Sequence, residues 1–298
     1  MDENGLYEAH SRMVANVDST ANKEVFNWHW DIEIPVMALE RVKILEVFDE
    51  AKQWRDPEPA ADMYFSHGKY YGDGLKHIID ELKHKPTSNR ALYSLLAQKD
   101  ISKSGDSPIP SFLTFQCSIE KSVLYCTASF RALEVARFLK INLEEIRQNL
   151  VDICAAFPLV ENVHLHVFAF HAYVRTTALA ALRRPRIDVM PEPQLMRLMQ
   201  KGELHTLDEL LGGLAKSTTV ISPKSLNALL GILKMADAGL HESINCRRAL
   251  LEPQLERAIE ACNQLAASRK TASRGVPSQS KIDEFHAAVK KLQETLLN

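Results

Sequence analysis

The chain has 298 residues, of which 46% are hydrophobic, so it is long and apolar enough for one large core or two smaller ones. Its 36 Lys and Arg residues nearly balance 38 Asp and Glu residues, which argues against nucleic acid or an anionic membrane as a partner. No apolar run is long enough to cross a bilayer, and the five widely spaced cysteines contain no C-x-x-C pair. We therefore expect a folded cytoplasmic protein with reduced thiols and no membrane contact.

Turns alternate with patterned segments in the first part of the chain. Residues 31–54, DIEIPVMALERVKILEVFDEAKQW, predict an extended segment that enters a helix after Pro35. SHGKYYGDG, at 66–74, lacks the spacing of a phosphate-binding loop and predicts a turn. Residues 73–85 predict an amphipathic helix, because their apolar residues form one stripe.

The middle of the chain opens with strands. ALYSLLA (91–97), SFLTFQCSI (111–119) and SVLYCTASF (122–130) are rich in β-branched and aromatic residues, and a short turn at Glu120 and Lys121 joins the last two. A long helix is predicted over 132–157, and a further strand over 163–174. Ser111 therefore follows a proline turn at the start of a hairpin arm, which is a position suited to a nucleophile.

The last hundred residues predict mainly helices, because apolar residues recur every three to four positions and Pro and Gly mark the ends. The polar, basic segment 268–281 has the composition of a linker, and the residues after it predict an amphipathic helix. We accordingly expect a domain over 1–190, a helical extension over 191–267, a linker over 268–281 and a C-terminal helix over 282–298.

Arg131 and Asn142 are the first residues with binding chemistry. A guanidinium fork suits an anion, and a carboxamide offers the donor and acceptor that a uracil-like edge needs. Taken alone, the two are more typical of a surface arginine and a helix-cap asparagine. His164 and His166 lie on one strand face with His171 nearby, but no carboxylate or cysteine has ligand spacing, so no metal site is predicted.

From Tyr71 to Arg186 the chain resembles thymidylate synthase and the related nucleotide hydroxymethylases. YYGDGLKHIIDELKHKPTSNRALYSL is similar to the family's stretch that ends in paired arginines and a strand. IPSFLTFQCSIEKSVLYCTASFRALEVARFLKIN runs without a gap beside the family's P-P-C-H-x-x-F-Q and R-S-x-D-x-x-x-G-x-P-F-N. ENVHLH resembles G-D-x-H-x-Y, and RRPR resembles the arginine and proline that follow. The resemblance lies in the order and register of these motifs, none of which is intact.

The resemblance implies roles for individual positions. Arg131 falls on the arginine that grips the nucleotide phosphate, and Arg90 on one of two arginines donated to that phosphate across a dimer interface. Asn142 falls on the base-reading asparagine and His164 on the histidine that contacts the sugar hydroxyl. Glu50 keeps the spacing of the carboxylate that manages protons around the base; Glu46 is a nearby competitor, and either could be a solvated helix glutamate.

The departures from the family concern the chemistry itself. Ser111 replaces the catalytic cysteine, and the neighbouring histidine of the family is here Phe112, so no base flanks the hydroxyl. Other replacements weaken the phosphate, sugar and folate sites; they are Ala132, Asn89, His166, Glu134 and Phe138. His166 stands where the family has a sugar-binding tyrosine. We therefore expect no folate and no other cofactor.

These observations favour an α/β fold of the thymidylate synthase type, in which helices flank a mixed, bent sheet and helices extend the C-terminus. The resemblance implies a homodimer. We expect a pyrimidine-nucleotide-binding protein without C5 methyl transfer, acting as a sensor, a scaffold or a subunit that binds a protein partner through its C-terminal helices. The alternatives are a methyl- or hydroxymethyltransferase of altered chemistry that uses Ser111 and Glu50, and a structural relic, so enzymatic activity stays open.

Overall fold

The computed structural model of the protein describes residues 5–60, 63, 65–102, 109–174, 187, 190–216, 222–271 and 279–297. The chain divides into two compact units. The first comprises Met1–Ala60, Phe65–Lys103 and Ile109–Leu179, and the second is chiefly Ala180–Asn298. A mixed sheet with helices forms the first unit, and the described elements of the second are helices, so the predicted α/β class with C-terminal helices is confirmed.

The six-stranded sheet has the order β1-β6-β4-β3-β2, and β5 pairs with β6 beyond the end of β4. Pairs β1–β6, β2–β3 and β3–β4 are antiparallel, whereas β4–β6 and β5–β6 are parallel. The strands are β1 (Glu24–Pro35), β2 (Leu92–Ser94), β3 (Phe112–Glu120), β4 (Val123–Phe130), β5 (Leu133–Glu134) and β6 (Asn162–Tyr173).

Alternation along the strands gives the sheet two faces. Ile32, Cys117, Cys126 and Leu165 belong to the buried set, which we call the inner face, while their strand neighbours lie on the outer face. The apolar side chains of β3 and β4 are thus used in the core. Thr114, Gln116, Ser118, Tyr125, Thr127 and Ser129 lie on the outer face, which is therefore mainly polar along β3 and β4.

Helices of the first unit cover its core. They are α1 (Gly5–Asp18), α2 (Phe48–Arg55), α3 (His67–Tyr71), α4 (Gly74–His84), α5 (Gln98–Ile101) and α6 (Phe138–Ala156). The predicted helix at 73–85 is confirmed, whereas α1 was not predicted. The segment after Pro35 forms two short 3-10 turns before α2, and residues 132–137 contain β5 rather than the first turns of α6.

The second unit packs helices around an apolar core. Its helices are α7 (Glu192–Lys201), α8 (Leu204–Leu214), α9 (Lys224–Lys234), α10 (Glu242–Asn245), α11 (Arg248–Thr271) and α12 (Gln279–Leu297). The predicted linker is shorter than expected, because α11 continues to Thr271 and α12 begins at Gln279; residues 272–278, like the RRPR motif, lie outside the described residues. Within the described parts of the chain, no helix is long and apolar enough to cross a membrane.

Candidate functional site

Helix α6 carries an unusual run of buried polar residues in the middle of the first unit. Between residues 142 and 149, six polar side chains are less than a tenth exposed: Asn142, Glu144, Glu145, Arg147, Gln148 and Asn149. Because charged side chains are seldom buried without partners, such a run needs a dense set of hydrogen bonds. These residues form two stripes along the helix. Glu144, Arg147 and Gln148 face the chain before α2, and Asn142, Glu145 and Asn149 face α3 and β2.

Glu144 and Arg147 form the first stripe. The Arg147 Nη2 donates to Glu144 Oε1 at 2.7 Å, and both side chains are almost fully buried. The pair also binds the backbone beyond β1, since Arg147 Nη1 donates to the Leu39 carbonyl at 2.8 Å and the Ile44 N–H donates to Glu144 Oε2 at 2.9 Å. This buried ion pair therefore positions the segment that leads into α2 and its Glu50.

The second stripe begins a chain of hydrogen bonds at Asn149. Its Oδ1 accepts from Arg55 Nε at 2.8 Å, and its Nδ2 donates to the Tyr93 hydroxyl at 3.2 Å. The Arg55 guanidinium also binds Asp152, while the Arg55 carbonyl accepts from the Tyr71 hydroxyl at 3.2 Å. These contacts join α2, α3, β2 and α6 in one hydrogen-bonded network.

His67 on α3 and Glu145 on α6 form a buried pair beside this network. The Nδ1–H of His67 donates to Glu145 Oε2 at 2.7 Å, and the two side chains are 7% and 0% exposed. Aromatic rings surround the imidazole, with the rings of Trp54 and Phe112 centred 4.8 and 5.6 Å away. Neither Glu145 Oε1 nor Trp54 Nε1 has a hydrogen-bond partner within the described part of the chain.

Burial and charge suppress ionisation of the two tyrosines beside this pair. Burial raises the pKa of Tyr71, and it raises the pKa of Tyr93 well above its ordinary value. The nearby Glu145 carboxylate is the second cause in both cases. Both phenols are therefore neutral at physiological pH and act as hydrogen-bonding groups.

The structure brings Ser111 and Arg131 together where β3 begins and β4 ends. The Arg131 N–H donates to the Ser111 carbonyl at 2.9 Å. The Arg131 guanidinium donates to the Pro110 and Ile109 carbonyls, each at 3.1 Å, so it is committed in part to holding the segment before β3. The next residue, Phe112, contacts the His67 ring, which connects this segment to the buried pair.

Asn142 lies inside α6 rather than at its start, one turn before Glu145 on the same stripe. Its side chain is 7% exposed and has no hydrogen-bond partner among the described residues. Glu50 lies on α2, where its carboxylate is 3.9 Å from Arg137 Nη2. The competitor Glu46 instead binds Lys140 Nζ at 2.8 Å with a largely exposed side chain, so Glu50 is the better-enclosed carboxylate of the two.

His164 and His166 lie on the outer face and are not brought together with Asn142. Their neighbour Leu165 is on the inner face, and His166 Nδ1 donates to Asp31 Oδ1 at 2.8 Å across the β1–β6 pair. His171 lies seven residues after His164 on the same strand, and an odd separation directs its side chain to the opposite face of the sheet from that of His164. Its ring stacks on the ring of Phe26. Among the described residues no group of His, Cys, Asp and Glu could hold a metal ion.

Arg90 is exposed in the turn before β2, where the Nε2–H of His77 donates to its carbonyl at 3.0 Å. Sequence reasoning missed His67 and Glu145, because His67 fell in a presumed turn and Glu145 in a long helix. One signal was available: NLEEIRQN places polar residues at positions that a central helix must bury. The family models and the curated proteins compared with the chain gave no match.

Proposed function

We propose that the first unit binds a pyrimidine nucleotide without transferring a methyl group to C5, and that the protein acts as a sensor, a scaffold or a partner-binding subunit. The observation that carries this proposal is the carboxamide of Asn142, which lies on the largely buried stripe of α6, makes no hydrogen bond to another described residue, and is not among the polar groups fully closed off from solvent. An enclosed amide whose polar atoms can still be reached suits a ligand with an amide-like edge, such as the N3–H and O4 of uracil, which would use both its donor and its acceptor.

Arg131 supports the same assignment, because its guanidinium suits the phosphate of such a ligand. Its Nε and Nη2 hold the Pro110 and Ile109 carbonyls, and its Nη1 has no partner among the described residues. A guanidinium fixed in this way is preorganised for an anion such as a phosphate. The outer-face position of His164 and His166 does not support the sugar contacts that the family resemblance implies, so the ribose and deoxyribose forms are tested separately.

Calorimetric titration with dUMP, dCMP, UMP and CMP at low salt tests the proposal. We expect saturable binding of at least one of them, weakened by roughly 1.5–3 kcal/mol in Arg131→Ala and by about 1–3 kcal/mol in Asn142→Ala. Gln98→Ala removes an exposed amide of the same unit and serves as the matched control, with unchanged affinity. The absence of binding by all four nucleotides, or an affinity in both site variants that is unchanged from the native protein, would refute the assignment.

The assembly and the location belong to the same proposal. Tyr125 and Phe170 are 45% and 54% exposed on the outer face, and a second copy packed there would cover them and complete the site with an exposed Arg90. A monomer in sedimentation velocity at micromolar concentration would contradict this homodimer. The second unit is the proposed surface for a protein partner, and five cysteines without a disulfide among the described residues fit a reducing cytoplasm.

The alternative function, a methyl- or hydroxymethyltransferase of altered chemistry, requires a group that accepts the proton of Ser111. No contact of the described residues places such a group at the Ser111 hydroxyl, so this alternative has less support than nucleotide binding. Folate and metals form no part of either proposal.

A further inference from the structure

Two cysteines face each other across the middle strands of the sheet. Cys117 on β3 and Cys126 on β4 are partners in the antiparallel register, and both lie on the inner face, where they are 1% and 3% exposed. Their Sγ atoms are 3.4 Å apart, so one thiol donates a hydrogen bond to the other. The interior of the first unit therefore holds two thiols in direct contact.

The backbone pairing gives these cysteines the geometry that a disulfide requires. The Cys117 N–H donates to the Ala91 carbonyl at 2.8 Å, on the side of β3 away from β4, so Cys117 and Cys126 form a non-hydrogen-bonded pair. In such a pair the Cα atoms are about 4.5 Å apart, and a disulfide spans Cα separations from roughly 4.4 to 6.8 Å. Bond formation thus requires rotation of the two side chains and little movement of the strands.

Burial determines how fast the pair reacts and with which reagents. Burial, followed by the hydrogen bond with Cys117, raises the pKa of Cys126 well above its ordinary value, so this thiol is protonated at physiological pH. A protonated, enclosed thiol reacts slowly with small oxidants and hardly at all with bulky reagents, whereas the exposed Cys246 of the second unit lacks this protection. Proximity therefore favours the cross-link, and burial limits the rates at which it forms and breaks.

We propose that Cys117 and Cys126 are a redox-responsive pair, which a peroxide converts into a disulfide that joins β3 to β4 and stabilises the first unit. The Ala91 carbonyl that binds Cys117 directly precedes β2, and the Tyr93 hydroxyl of β2 binds Asn149 of α6. The cross-link would therefore lie beside the hydrogen-bonded network that joins β2 to α6. The inference stands independently of whether the unit binds a pyrimidine nucleotide.

The oxidation consumes one molecule of hydrogen peroxide and needs no cofactor. The sulfur of one thiol attacks the peroxide, an S–O bond forms as the O–O bond breaks, and one water molecule leaves. The second sulfur then displaces the oxygen of this sulfenic acid, which forms the S–S bond and releases a second water molecule. The two sulfur atoms lose two electrons to the peroxide, and the two thiol protons end in the water molecules.

Peptide mapping under non-reducing conditions tests the proposal. The full-length protein is treated with iodoacetamide to block Cys246 and is then incubated with hydrogen peroxide. We expect one cross-linked peptide pair, which contains Cys117 and Cys126 and is lighter by two hydrogen atoms than the reduced peptides. The cross-link should be lost completely in Cys117→Ala. It should be retained in Cys154→Ala, which removes the third buried thiol of the first unit and is the matched control.

Urea unfolding followed by tryptophan emission tests the effect of the cross-link on the first unit. The cross-linked protein should have a higher urea midpoint than the reduced protein, because the bond restricts the unfolded chain. With dithiothreitol present during unfolding, the two midpoints should be equal. Cys117→Ala treated with peroxide in the same way should show no rise, which separates the cross-link from oxidation of other side chains.

Three results would overturn the inference: no cross-linked peptide pair after prolonged exposure of the native protein to peroxide, a cross-link in which Cys154 replaces Cys117 or Cys126, or a urea midpoint that does not rise when the cross-link forms. All three are measured on the native sequence, so they decide the matter even if a variant does not fold. Failure of nucleotide binding alone, with the cross-link formed as expected, removes only the proposed ligand.

Discussion

The interiors of the two units are built on different principles. In the second unit, leucine, isoleucine, alanine and phenylalanine side chains from α7–α12 fill the core, and Ser225 is the buried polar residue among its described positions. In the first unit, α6 buries six polar side chains within eight residues and satisfies most of them with partners from α2, α3, β2 and the chain after β1.

This difference indicates that stability alone does not explain the interior of the first unit. An apolar core of the second kind is sufficient to hold helices together, since burial of apolar area stabilises without directional demands. A buried ion pair gains little over well-packed apolar residues and is strongly destabilising when it is half removed. In the first unit this buried ion pair lies on α6, the helix that also carries Asn142 and Glu145. We take this as the strongest indication that the interior of the first unit positions functional groups.

The largest expected effect comes from breaking the Glu144–Arg147 pair. Arg147→Met leaves the Glu144 carboxylate buried with its charge uncompensated and removes the donor to the Leu39 carbonyl, so the free energy of unfolding should fall by about 3–5 kcal/mol. Urea unfolding followed by tryptophan emission measures this directly, because Trp28, Trp30 and Trp54 all belong to the first unit.

The double variant Glu144→Leu with Arg147→Met is the control for charge burial. Because both charges are then absent, its loss of stability should be clearly smaller than that of Arg147→Met alone. Equal losses in the single and double variants would show that the contacts to Leu39 and Ile44, rather than the buried charge, are what the first unit depends on.

A second polar group of the first unit makes its stability depend on pH. Burial, together with the charge of Lys140, lowers the pKa of His10, although its Nε2–H donates to the Val135 carbonyl at 2.8 Å and Glu46 acts in the opposite direction. The unfolded chain therefore binds a proton at a pH where the folded chain does not. This contribution to stability is complete above the unfolded pKa of about 6.5 and is lost as pH falls through that value toward the lower folded pKa.

His10→Gln should flatten this part of the pH dependence. The measurement is the urea midpoint of the tryptophan transition at several pH values between about 5 and 8, compared between the native protein and the variant. Parallel curves for the two proteins would mean that His10 does not contribute to the acid sensitivity of the first unit.

Much of the architecture was accessible from sequence, because periodicity reports which face of a helix or strand is buried. The hairpin β3–β4, the helix α4 and the helices of the second unit follow from it. Periodicity does not report polar partners, and for this reason the burial of Glu144, Glu145 and Arg147 was missed. Their partners lie near residues 39, 44 and 67, so the hydrogen bonds that make burial tolerable are distant in the chain.

The same limit explains the outcome for the site residues. The adjacency of Ser111 and Arg131 follows from pairing of neighbouring strands, which a hairpin prediction already contains. The separation of His164 from Asn142 depends instead on which face of β6 turns toward α6, and a one-residue shift of register reverses that choice. Strand composition and the hairpin turn therefore located these strands without fixing the directions of their side chains.

The smallest expected loss of stability comes from a substitution in the apolar core of the second unit. Ile232 is fully buried on α9, and Ile232→Val removes one methyl group without leaving any polar group unpaired. We expect a loss of only about 0.5–1.5 kcal/mol, since neighbouring leucines can relax into part of the space. Far-UV circular dichroism follows the helices of both units and tryptophan emission follows the first alone, so a change confined to the former assigns the loss to the second unit. A loss as large as that of Arg147→Met would show that the two interiors are equally intolerant, and that the polar run of α6 carries no special cost.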